Sequence, residues 1–221
     1  MPKTSLKHWW LYPQIPDDID EQLKDFPPYI RQILFNRGIR DINSAVDYLN
    51  ATYPSHDPFI LLDMDKAVTR LLEAIDRKEG IVIYGDYDVD GVTATALMVL
   101  VLQKYGANVH RFIPNRFDEG YGLNNDAIAM LADSGAKVIL TVDCGIRSPR
   151  EADFAREKGI DLIISDHHHP KDELPQAFAI VCPKREDDPY PYKDLAGVGL
   201  AYKIAQALFT KRKAGAWSAD D

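Results

Sequence analysis

Ile81-Val82-Ile83-Tyr84, followed without a break by Gly85-Asp86-Tyr87-Asp88-Val89-Asp90-Gly91, is the stretch that decides the fold. Four consecutive apolar residues suit a short strand buried on both faces, and the stretch from about Val92 to Tyr105, closed by Gly106, suits a helix. The alternation continues outward: strand Val109–Ile113, helix Asn125–Ser134, strand Val138–Val142, helix Pro149–Lys158, strands Leu162–Ile164 and Ala179–Val181, and a last helix Gly199–Lys211. Continuously apolar strands alternating with helices predict an α/β domain, a parallel sheet with helices on both faces.

Upstream of this unit, Ala67, Val68, Leu71, Leu72 and Ile75 fall at helical spacing, with Asp63 as the expected cap and Gly80 as the expected stop. The first 62 residues differ: proline recurs at 2, 13, 16, 27, 28, 54 and 58, and the apolar positions fit only short helices, the second capped by Asn43. The expected organisation is a helical lead-in over 1–62 and the α/β domain over 63–221.

Composition bounds the function. With 221 residues, 46% of them hydrophobic and 27% charged, the chain is no disordered tail, collagen-like repeat or disulfide miniprotein. No apolar run approaches the ~18 residues that span a bilayer, and MPKTSLKHWWLYP lacks the apolar core of a signal peptide, so a cytoplasmic protein without a membrane partner is expected. Cys144 and Cys182 are then expected to be reduced. The net charge of −8 argues weakly against a dedicated nucleic-acid surface, unless the acids are gathered in one place.

They are gathered. In a doubly wound sheet, function collects beyond the carboxyl ends of the strands. Asp86, Asp88 and Asp90 follow the first strand, Asp143-Cys144-Gly145 the third, and Ser165-Asp166-His167-His168-His169 the fourth. Three carboxylates within five residues repel one another unless a cation neutralises them. The string resembles the start of an EF-hand calcium loop, but the twelfth position is Leu97 instead of Glu and a strand precedes it. A solvated acidic turn would account for one such loop, not for three at matching strand ends. Ser148 with Glu151 makes a better capping box than Asp143 would, leaving Asp143 as a ligand able to bridge two metals. Three histidines cannot all face inward, and His169 is the expected bystander. Carboxylates and imidazole without thiolate suit Mn²⁺ or Mg²⁺, and two such ions suit hydrolysis of a phosphoester or phosphoanhydride. No serine sits in a G-x-S-x-G turn, so nucleophilic catalysis is unsupported. Gly197-Val198-Gly199 offers backbone N–H groups for a phosphate or forms only a tight turn.

The segments Gly85–Gly91, Val142-Asp143-Cys144-Gly145 and Asp166-His167-His168 resemble motifs one to three of the DHH phosphoesterases. Pro114-Asn115-Arg116-Phe117-Asp118-Glu119-Gly120-Tyr121-Gly122-Leu123 and Leu195-Ala196-Gly197-Val198-Gly199 resemble the RecJ branch, the 5′→3′ exonucleases specific for single-stranded DNA. The resemblance runs from near residue 28 to about 210. It implies a nuclease of DNA repair and recombination in which Asp88, Asp90, Asp143 and His167 hold two Mn²⁺ or Mg²⁺ ions, with Asp86 supporting the first loop or adding a ligand. His168 would contact the scissile phosphate. Arg116, Gly197 and Gly199 would contact substrate, although Arg116 also fits an ion pair with Asp118 or Glu119. The implied partners are single-stranded DNA, a single-strand-binding protein and a helicase.

Tyr84 stands where many DHH enzymes carry a metal-binding histidine, which implies one protein ligand fewer. The branch also carries a fourth-motif aspartate in an apolar segment, then further domains. Asp220 and Asp221 lack that context, so an N-terminal piece with weak or no activity alone is expected. The alternatives are a DHH enzyme acting on short oligonucleotides, cyclic dinucleotides or pyrophosphate, and a non-catalytic DHH scaffold.

Overall fold

The computed structural model describes residues 10–51, 56–114, 122–171 and 173–212. The chain divides into two compact units, Met1–Ser55 and His56–Asp221. The division falls before the 62/63 boundary expected from sequence, because a 3-10 turn at Pro58–Ile60 and the following Leu61 pack with the second unit.

In the first unit α1 (Asp17–Gln22), α2 (Pro28–Asn36) and α3 (Ile42–Leu49) close over Ile19, Leu23, Leu34 and Ala45. The cap of α3 is Asp41, not Asn43. Asp41 has the extended backbone a cap requires, and its carboxylate accepts the Ser44 N–H, whereas Asn43 already lies inside the helix.

The second unit runs α4 (Met64–Asp76), β1 (Gly80–Gly85), α5 (Val89–Lys104), β2 (Asn108–Phe112), α6 (Asn125–Asp133), β3 (Ala136–Val142), α7 (Pro149–Glu157), β4 (Asp161–Ser165), β5 (Ala179–Val181) and α8 (Gly197–Lys211). The strands pair in the order β2-β1-β3-β4-β5, and every pairing is parallel. Alternate residues of each strand enter opposite cores. Ile81, Ile83, Leu140 and Ile163 pack beneath α4, α5 and α8 with Leu71, Met98 and Ile204. Val82, Tyr84, Ile139 and Ile164 pack on the other face with Ile128 of α6 and Ala155 of α7. Each fully buried Leu or Ile contributes about 1.5–3 kcal/mol. The two layers therefore fix the strand ends firmly.

Four local expectations change. Asp63 precedes α4 but makes no cap; it adopts φ 59°, and its carboxylate accepts instead from the Ile180 N–H of β5 and from Arg185. Gly80 opens β1 rather than stopping α4, since Lys78 supplies the left-handed turn. Ser148 occupies the cap position of α7 without a side-chain bond, so the Ser148–Glu151 box does not form. Both α5 and α8 begin earlier than expected, at Val89 and Gly197, because carboxylates described below satisfy their first amides.

Candidate metal centre

A parallel sheet delivers all its strand ends to one edge, and β1, β3 and β4 are neighbours there. Each of the three is followed at once by an aspartate: Asp86, Asp143 and Asp166, all buried. Among the described residues, two groups bring ligand atoms within 4.8 Å of one another: Asp86, Asp88 and Asp143, and Asp143, His167 and His168. Asp143 belongs to both.

The loop after β1 is shaped by its own carboxylates. Asp86 accepts the Tyr87 N–H at 2.7 Å, and Asp88 caps α5 by accepting the N–H groups of Asp90 and Gly91 at 2.9 and 3.0 Å. Gly91 is required here, since a β-carbon would lie 2.6–2.8 Å from the backbone of Asp86. Asp90, in the first turn of α5, takes the Gly197 and Val198 N–H groups of α8, each at 2.7 Å. The amides expected to be open to a phosphate are thus already bonded to Asp90.

Asp143 is held in the left-handed region, φ 66°, a conformation rare for a residue other than glycine. Its Oδ1 is buried and makes no hydrogen bond among the described residues, although His167 Nε2 stands 3.0 Å away. Two ligand atoms that converge at 3.0 Å suit a cation held between them. Burial, then the neighbouring charges of Asp90 and Asp88, push the Asp143 carboxyl up to about 7. Burial likewise raises Asp86. The donor set is oxygen with imidazole nitrogen, which fits Mn²⁺ or Mg²⁺.

The sequence alone assigns Asp166 no role. Burial works against its charge, but His168 Nδ1 at 2.7 Å and the amides of Ile146 and His168 outweigh that and hold it below the usual range. It ties the loop after β4 to the loop after β3. In return the hydrogen bond to Asp166 raises His168, favouring the imidazolium. A signal is nevertheless present in the sequence: Asp166 follows its strand as Asp86 and Asp143 follow theirs.

The profile of the DHH family, N-terminal domain, matches residues 80–219. The chain belongs to the DHH family. The single-stranded-DNA-specific exonuclease RecJ of Bacillus subtilis is 46% identical over 191 residues, covering 86% of this chain and 24% of that protein. RecJ of Escherichia coli is 37% identical over 202 residues, 91% of this chain and 34% of that protein. Among solved structures, exonuclease RecJ bound to manganese superposes with TM-score 0.64 at 35% identity, covering 69% of this chain and 39% of that one. RecJ of Thermus thermophilus in complex with Mn²⁺ gives TM-score 0.67 at 28% identity, covering 88% and 26%. This DHH chain therefore spans about a quarter to a third of the length of the curated relatives it matches.

Within this DHH domain the remaining sequence-predicted residues fall as follows. His169 is exposed, and its carbonyl accepts from Arg147. Tyr84 turns into the core, where it packs on Phe112 and donates to the Gly122 carbonyl at 3.0 Å, so it is no part of the centre. Gly199 follows the bonded amides in the first turn of α8. Arg116, with the rest of 115–121, lies outside the described residues.

Proposed function

We propose that this centre binds two divalent cations, Mn²⁺ or Mg²⁺, and hydrolyses phosphodiester bonds of single-stranded DNA in the 5′→3′ direction. The observation that carries the reading is the position of Asp143, shared by two ligand groups and, among the described residues, leaving a buried oxygen without a hydrogen bond. When bound, two such ions stabilise negative charge on the phosphate and lower the pKa of the attacking water. Asp86, Asp88, Asp90, Asp143 and His167 are the ligands. His168, oriented by Asp166 and biased towards its cation, contacts the scissile phosphate. Arg116 serves as a further phosphate contact.

Similarity to the RecJ proteins, named as single-stranded-DNA-specific exonucleases, supports the substrate, and the 5′→3′ direction follows from the resemblance of the motifs to the RecJ branch. The same reading gives the protein a role in DNA repair and recombination in the cytoplasm, with a single-strand-binding protein and a helicase as partners.

Incubation of the purified chain and its Asp143→Ala variant with Mn²⁺ and end-labelled single-stranded DNA, a dinucleotide or pyrophosphate tests the reading. Release of mononucleotide from the 5′ end, absent in the variant, is expected. Turnover confined to the small substrates would overturn the choice of substrate, and undiminished release by Asp143→Ala would overturn the assignment of the centre.

A further inference from the structure

Two helices begin at the metal centre. The N-terminus of α5 is capped by Asp88, and that of α8 is held by Asp90, whose Oδ2 accepts the Gly197 N–H and whose Oδ1 accepts the Val198 N–H, both at 2.7 Å. A helix's first amides have no partner within the helix and carry the positive end of its dipole. Asp90 satisfies both while its Oδ2 stands 3.6 Å from His167 Nε2. Each carboxylate oxygen carries two lone pairs, so one hydrogen bond apiece leaves each able to meet a cation. On the other side of the helix start, Gly197 lies against Asp143, where a β-carbon would meet the Asp143 side chain at 2.8–3.0 Å. The start of α8 thus touches two of the proposed ligands, more than a hundred residues from one and more than fifty from the other.

We propose that the Gly197 and Val198 amides are positioning groups for the divalent cation. They hold the Asp90 carboxylate with Oδ2 towards His167, and their dipoles offset part of the repulsion among Asp88, Asp90 and Asp143 before the cation arrives. Docking of α8 and binding of the cation then reinforce each other, because a coupling between two binding events is reciprocal. The inference rests on the metal-centre reading above, and it concerns backbone groups that ligate nothing themselves.

Val198→Pro removes one donor at the second position of the helix, where proline is tolerated, and leaves every ligand side chain in place. Calorimetric titration of the 221-residue chain with Mn²⁺ is expected to show binding weakened about tenfold in this variant, as for other groups that orient a ligand. Val198→Ala keeps the N–H and is expected to retain the wild-type affinity. So is Tyr202→Gly, which weakens the same helix one turn further along. In the wild-type chain, Mg²⁺ is expected to slow hydrogen exchange at the Gly197 and Val198 amides, read by NMR. The proposal is overturned if Val198→Pro binds Mn²⁺ as tightly as wild type, if Tyr202→Gly loses as much affinity, or if Mg²⁺ leaves those amides unchanged. Should Val198→Pro fail to fold, the wild-type exchange rates decide. No uptake of Mn²⁺ by the wild-type chain would instead overturn the metal-centre reading itself.

Discussion

Gly197 and Asp143 approach so closely that a β-carbon on Gly197 would sit 2.8 Å from Asp143 Cβ. Asp143 cannot yield easily, being buried between strand ends in a left-handed backbone conformation. Gly197→Ala is therefore expected to push α8 off the centre and to destabilise the fold by about 1–3 kcal/mol, the usual range for overpacking. Chemical denaturation measures the stability, and Mn²⁺ titration is expected to show weaker binding in the same variant.

A second pair of contacts sets up a sharper case. A β-carbon on Gly91 would meet the Asp86 backbone N, C and O at 2.6–2.8 Å. Glycine to alanine inside a helix ordinarily stabilises by about 0.5–1 kcal/mol. Here the sign should reverse, because backbone atoms, not a flexible side-chain tip, must move. Gly91→Ala is expected to unfold at lower denaturant concentration than wild type; an unchanged or higher midpoint would contradict the packing.

Acid should release the metal. In the metal-free protein the Asp143 carboxyl titrates at about 7, and a cation binds only the ionised form. Below that pH, binding must displace a proton, so affinity falls as pH drops; above it the carboxylate is already free of protons and affinity levels off. Mn²⁺ titrations at pH 5.5 to 8.5, in buffers of different ionisation enthalpy, are expected to show proton release only on the acid side. Affinity independent of pH across this range would contradict the assignment.

Neither thiol is poised to react. Burial pushes Cys182 up to about 11 and raises Cys144 well above the ordinary thiol value. Both are expected to resist a disulfide reagent at pH 8 in the native chain and to react at once in denaturant. Rapid native labelling would show that the core around β3 and β5 opens more readily than its packing implies.

Much of this is legible in the sequence because it is local. Val138–Val142 and Ile81–Tyr84 are continuous apolar runs, and an aspartate soon after each one marks the same sheet edge. What the sequence hides is long-range bonding. Asp63 has the place of a cap for α4, yet its carboxylate meets the amide of Ile180, 117 residues away. Asp90 reads only as a ligand, and nothing near it in sequence announces its bonds to Gly197 and Val198. The Gly197-Val198-Gly199 segment does meet an anion, as its amides suggest, but that anion belongs to the protein itself. Asp166 is visible by its place after β4, and only the fold shows that it fastens His168 and the Ile146 amide together.

The ligand loops leave three adjacent strands, β1, β3 and β4. Neighbouring strands are about 4.8 Å apart, a spacing fixed by backbone hydrogen bonds and indifferent to side-chain identity. The sheet is thus a ruler for the centre: it sets the span across which the outer loops face each other at about two strand spacings. Swapping one ligand for another would change what is bound and how tightly, while the distance between the loops would stay as the backbone drew it.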